Sequence, residues 1–151
     1  MIIDYNEDGE SPPKLKPKKQ LKRSAIKKVS KNELSKLKKK AWRIWSNYIR
    51  QRYAGKDGMV ECYTCGVKKH WSKMHAGHFH HDRLDFDERN IRPQCPQCNT
   101  FKHGNLSIYG TKLVEELGKE GMAKLLIDAN TTIYKEKDYN DIIEKYGNNS
   151  K

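Results

Sequence analysis

The sequence predicts an α+β fold: a small ββα core stapled by cysteines, with a basic helix before it and helices after it. Three observations predict this. Cys62-Tyr-Thr-Cys65 and Cys95-Pro-Gln-Cys98 stand 29 residues apart and use all 4 cysteines of the 151-residue chain. Ser30 and Glu33 form a capping-box signature ahead of an apolar stripe at helical spacing. Short strand-like runs lie between the cysteine pairs, and helical spacing returns after Cys98.

Two CxxC knuckles read as a structural zinc site held by Cys62, Cys65, Cys95 and Cys98, because each short loop presents two sulfurs to one tetrahedral ion. The competing use, a pair of disulfides, belongs to secreted chains. Here the start is acidic (Asp4, Glu7, Asp8, Glu10), unlike a secretory or mitochondrial leader, and a cytoplasmic protein is expected. No run approaches the ~18 apolar residues that span a bilayer, which excludes a helical membrane protein. Only 35% of residues are hydrophobic and 33% are charged, so a metal tying distant segments together would supply folding energy that burial lacks. The length suits one domain with tails.

Taken in order, residues 1–29 read as a disordered basic tail, since Pro12, Pro13, Pro17 and like-charged lysines disfavour packing. Residues 30–54 read as a basic amphipathic helix: Leu34, Leu37, Ala41, Ile44 or Trp45, and Tyr48 recur on one face, and Gly55 and Gly58 end it. Trp42 and Trp45 read as core anchors rather than base-stacking platforms. Met59–Tyr63 is a strand entering the first knuckle, and Lys73–His80 a second strand. Residues 81–89 are a loop whose Asp82, Asp85 and Asp87 read as solvated acids; His70, His80 and His81 read as surface or groove residues. Asn90–Gln94 leads into the second knuckle and Asn99 opens a helix. The extension 107–151 holds three helical segments, Ser107–Leu117, Met122–Ala129 and Tyr139–Tyr146, the first two parted by Gly118 and Gly121.

The net charge of +12 is concentrated: residues 14–52 carry 16 of the 31 Lys and Arg against one acid, Glu33. Such a block is the electrostatic footprint of a polyanion partner, nucleic acid first. Within the helix, Lys36, Lys38, Lys39, Lys40, Arg43, Arg50 and Arg52 are the candidate DNA-binding residues, reading a backbone through its phosphates.

Phosphodiester cleavage needs a base to deprotonate water and a hard cation to stabilise charge at the phosphate. Neutral imidazole suits the first, and a partly hydrated Mg2+ or Mn2+ the second, with one or two protein ligands. The segments His75-Ala-Gly-His78-Phe79, Asn90-Ile-Arg-Pro-Gln-Cys95 and Cys98-Asn99 contain these parts.

In that order they resemble the HNH (His-Me finger) nucleases. With Gly104-Asn105-Leu106 and Tyr109 added, residues 59–118 resemble the NinG/Rap recombination nucleases of lambdoid phages. The resemblance implies a ββα-metal nuclease core over 59–106. In it His78 is the general base, Asn90 fixes the ββ loop and the imidazole, and Asn99 faces the catalytic cation. Many HNH enzymes carry Asp just before the base, where this chain has Gly77, so a second cation ligand must come from His103 or His75, with His103 slightly favoured. The implied activity is hydrolysis of branched DNA, Holliday junctions or D-loops, in the cytoplasm of a phage-infected host. A homodimer would supply the two active sites that symmetric junction cutting needs. The alternative is a non-catalytic zinc-knuckle protein that binds nucleic acid; it explains the cysteines and the charge but not the spacing of His78, Asn90 and Asn99.

Overall fold

The computed structural model describes residues 29–147; the expected tail up to residue 28 and residues 148–151 of the C-terminal extension lie outside them. Helix α1 (Lys31–Arg52) starts where the capping box places it. The Glu33 N–H donates to Ser30 Oγ at 3.2 Å, and the Ser30 N–H donates to the Glu33 carboxylate at 2.9 Å. Its buried stripe is Ala41, Trp45 and Ile49.

Four short strands follow, in two antiparallel pairs. Strand β1 (Met59–Glu61) pairs with β2 (Lys68–His70), and β3 (His75–His78) pairs with β4 (Ile91–Gln94). In the second pair His75 faces Gln94 and His78 faces Ile91. The Tyr63 N–H donates to Pro93 O at 2.9 Å and ties the two hairpins together. Three expectations change here. The strand expected over Met59–Tyr63 stops at Glu61, because Cys62 already belongs to the knuckle turn that Gly66 closes with φ 77°. The strand expected over Lys73–His80 contracts to His75–His78, preceded by a tight turn over Trp71–Lys73. The lead-in Ile91–Gln94 is itself a strand; Pro93 is tolerated because each sheet has only two strands, leaving every strand an open edge.

Past the second knuckle the chain makes one widened helical turn, Gln97–Phe101, then a tight turn, His103–Asn105. The positive φ angles of His103, Gly104 and Asn105 interrupt the helix expected from Asn99, and regular helix begins only with α2 (Leu106–Thr131). Gly118, at φ 70° and ψ 171°, breaks α2 between the two segments that the sequence separates. Helix α3 (Glu136–Gly147) ends the described chain.

Three apolar clusters hold these elements. α1 and α3 pack together through Trp45 and Tyr146, whose ring centroids lie 4.8 Å apart, and this cluster continues into Ala76 and Ile91 of the β3–β4 pair. Val60, Met74 and three of the cysteines form a second cluster at the knuckles. Leu84, Tyr109, Leu113 and Leu125 form the third, under α2. The buried Tyr109 hydroxyl donates to the Gly77 and Asn90 carbonyls, at 3.1 and 3.2 Å, and so fastens α2 to both ends of the β3–β4 connection. The fold is mixed helix and small sheet, with the basic helix laid directly across the strand that carries His78.

Candidate functional site

The four cysteine sulfurs converge to within 4.8 Å of one another. Zinc–sulfur bonds of about 2.3 Å in a tetrahedron require sulfurs about 3.8 Å apart. Cys65 and Cys95 Sγ are 3.8 Å apart, far beyond the about 2.05 Å of a disulfide. The donor set fits structural zinc. Burial raises the Cys62 thiol, but N–H groups of Cys95, Cys65 and Thr64 outweigh it and hold the pKa down at about 6. Cys65 accepts help from the Val67 N–H, yet burial and the neighbouring thiols push it up to about 12. Four thiolates this close repel one another, and a divalent cation is what lets them ionise together.

Beside this cluster α1 and β3 enclose a groove. Its larger lobe, of about 540 Å³, runs between Lys38, Lys39 and Trp42 on the helix and Ala76, His78, His81, Asp85 and Asn99 opposite. A smaller lobe, of about 290 Å³, continues past Trp42 and Asn99 to Ser46, Arg50 and His75. Another cavity, of about 470 Å³, lies between β1 and α2, but Glu61, Glu115 and Glu116 line it against Lys112 alone, a poor lining for phosphate.

The His78 side chain is 12% exposed and stacks on the Trp42 indole, with centroids 4.7 Å apart and planes at 23°. Burial lowers its pKa to about 4, outweighing the opposing pull of Asp85, so the imidazole is neutral at pH 7. Its Nε2 is buried without a hydrogen bond and stands 3.5 Å from Asp85 Oδ1, too long for a bond of good geometry. The other carboxylate oxygen of Asp85 meets Lys38 Nζ at 2.7 Å. Asp85 is therefore not a solvated loop acid, as its surroundings in the sequence suggest, but a wall of the groove. Trp42 packs against the first apolar cluster as expected, and its ring also covers His78; Trp45 is the fully buried anchor.

Asn90 is fully buried and closes the loop between β3 and β4. Its Oδ1 accepts from the His80 N–H at 2.7 Å, and its Nδ2 donates to His80 O at 2.7 Å and Leu84 O at 3.0 Å. These bonds fix the ββ loop, and Trp42 rather than Asn90 touches the imidazole. Asn99 Nδ2 lies 3.1 Å from His75 Nδ1, so these two of the candidate cation ligands come together. The third, His103, is exposed at φ 48° and lines neither lobe. Gly77 has a steric reason. A Cβ there would collide with the buried Gln94 Oε1, whose amide is held by bonds to Thr64 Oγ1 at 3.1 Å and Gly104 O at 2.7 Å. An Asp ahead of His78 does not fit this packing.

Of the candidate DNA-binding side chains, Lys36, Lys39, Lys40 and Arg43 are exposed on α1. Lys38 is paired with Asp85, Arg52 with Glu88, and Arg50 is half-buried with three of its five N–H groups bonded inside the protein. His70 caps the Trp71 turn and His81 lies at the groove, its ring 5.2 Å from that of His78. Among the described residues no helix is long and apolar enough to cross a membrane.

A family model described as bacteriophage lambda NinG protein matches residues 5–151. The curated protein ninG of Escherichia phage 933W is 34% identical over 91 residues, covering 58% of this chain and 43% of that protein. Protein ninG of Escherichia phage lambda is 33% identical over 91 residues, covering 58% of this chain and 42% of that protein. The match therefore spans about two-fifths of the length of these relatives. No solved structure matches the chain.

Proposed function

The chain belongs to the bacteriophage lambda NinG family, and on that premise we propose that it is a metal-dependent DNA endonuclease of HNH type. Its substrates in this reading are branched recombination intermediates, Holliday junctions or D-loops, in the cytoplasm of the phage's host. One observation carries the reading: a buried, neutral imidazole, His78, stacked on Trp42, shares a groove with Asn99 beneath a lysine-rich helix.

His78 takes the proton from the attacking water, as neutral imidazole at pH 7 can. Asp85 facing Nε2 favours the tautomer that carries its proton there, which leaves the Nδ1 lone pair for water. Catalytic hydrogen bonds are commonly long without substrate and tighten when it binds, so 3.5 Å is compatible with this role. Asn90 holds the strand connection that aims His78. Asn99 and His75 would hold Mg2+ or Mn2+, which supplies charge stabilisation at the scissile phosphate and leaving oxygen. Lys36, Lys39, Lys40 and Arg43 contact phosphates without reading bases, as suits a substrate recognised by its branch rather than its sequence.

The test is His78→Ala, assayed on labelled four-way and linear DNA with Mg2+, with Mn2+ and with EDTA. Cation-dependent nicking is expected to fall at least ~100-fold, the scale of a lost general base, while junction binding and zinc content hold. Parental cutting by the variant would remove His78 from the mechanism. Binding without scission by the parental chain, with every divalent ion tried, would favour a non-catalytic zinc-knuckle module.

A further inference from the structure

Three of the described arginines, Arg50, Arg89 and Arg92, are not fully exposed, and Arg50 differs from the other two in its partners. Arg89 meets Asp87 at 2.6 Å and Asp128 at 2.7 Å, and Arg92 meets Glu116 at 2.6 Å. Arg50 donates only to neutral groups: Ser46 O at 3.0 Å, Met74 O at 3.1 Å and Asn47 Oδ1. Among the described residues it has no carboxylate partner. Its face lies 5.6 Å from the Trp71 ring, and burial alone lowers its pKa. A desolvated cation whose charge is not met inside the protein is costly unless an anion arrives.

Arg50 lines the smaller lobe of the groove together with Ser46, His75 and Asn99. Three of its five N–H groups are committed, which freezes the planar fork and leaves two donors unspent. The lysines nearby are less suited. Lys38 is occupied by Asp85, and Lys39 is an exposed, flexible chain whose charge salt screens. We propose that Arg50 forms a built phosphodiester site in this lobe, holding a backbone phosphate of the DNA on the His75 side of Asn99 while His78 works on the other side.

The choice of DNA as the source of the phosphate rests on the nuclease reading; the anion site does not. A purely structural Arg50, clamping α1 through Met74 O to the turn that leads into β3, is the competing account. The experiment uses the full zinc-loaded chain carrying His78→Ala, with no Mg2+ or Mn2+ added, so that nothing is cut. Its Arg50 Nε–H resonance is followed by NMR during titration with a short branched oligonucleotide and, separately, with inorganic phosphate. The expected result is a saturable shift with the oligonucleotide at concentrations where phosphate does little. Saturation by phosphate first would assign the site to a free anion and overturn the DNA part. An Arg50 resonance that stays still while that of Arg43 moves would overturn the site altogether.

Arg50→Met in the same background is expected to weaken branched-DNA binding about tenfold and to reduce the slope of log affinity against log salt by about one. Arg50→Lys should keep the slope and lose part of the affinity. An Arg50→Met protein with parental zinc content, melting and salt slope would sink the proposal; if that variant does not fold, the wild-type Arg50 resonance decides. Cleavage by the His78→Ala chain in Mg2+ would count against the base assignment alone and leave the phosphate site standing.

Discussion

Burial holds His78 near a pKa of about 4 although a carboxylate stands 3.5 Å away. The folded value lies below the ordinary value of about 6.5, so between these limits the unfolded chain binds more protons than the native one. Stability therefore rises with pH across that window, and the contribution is lost as pH falls from about 6.5 to about 4. The term is on the order of 3 kcal/mol, since one pKa unit is about 1.4 kcal/mol. Acid also protonates the thiolates, so the informative quantity is a difference. In urea unfolding at a series of pH values, the parental chain is expected to lose more stability across this window than His78→Gln does. Equal losses would show that the imidazole is not desolvated. At this scale the sequence reveals the groups with fixed spacing, namely the cysteines, His78, Asn90 and Asn99. Asp85 and Trp42 are silent, because their roles exist only once α1 crosses β3, and no local pattern records that crossing.

α1 is the element most legible in the sequence and the one that does most for the fold. Its capping box, its period and its terminating glycines all agree, and Ser30 and Glu33 make the bonds that their spacing suggests. Trp45 is 2% exposed, between Tyr48, Phe86 and Tyr146. Trp45→Ala is expected to cost about 3–5 kcal/mol, the usual range for removing a large buried side chain. Chemical denaturation monitored by far-UV circular dichroism measures it; a loss below 1 kcal/mol would mean that the α1–α3 contact is not part of the core. The strands are less legible in the sequence. β2 is Lys-Lys-His, exposed throughout, and β4 contains Pro93, so neither shows the alternation or the β-branched residues that mark strands. The first knuckle turns β1 back onto β2, and the loop that Asn90 closes turns β3 back onto β4. The irregular turns from Gln97 to Asn105 are set by positive backbone angles that a cysteine–asparagine motif does not announce.

For the molecule as a whole, three small clusters stand in place of one large core among the described residues, and one of them is built on three of the knuckle cysteines. A structural zinc ion contributes apparent binding energy on the order of 10 kcal/mol, more than any single contact here. The chain is expected to carry one zinc per molecule by elemental analysis. Removing it with a strong chelator should abolish the sharp side-chain signals of near-UV circular dichroism, and zinc, not Mg2+, should restore them. Persistence of the folded signal after verified zinc loss would show that burial alone suffices. The whole-molecule features the sequence conveyed were compositional: a lean core that calls for a metal, and a one-sided positive charge. What it could not convey was that the charged helix is also a supporting wall.

That double duty of α1 limits how the groove can be transplanted. Grafting the span from the first knuckle to Asn105 onto a carrier would move the four cysteines, His75, His78 and Asn99 yet leave behind Trp42, Lys38 and Arg50. The imidazole would then be bathed in water and titrate like any free histidine. A portable version of this centre has to begin at Ser30.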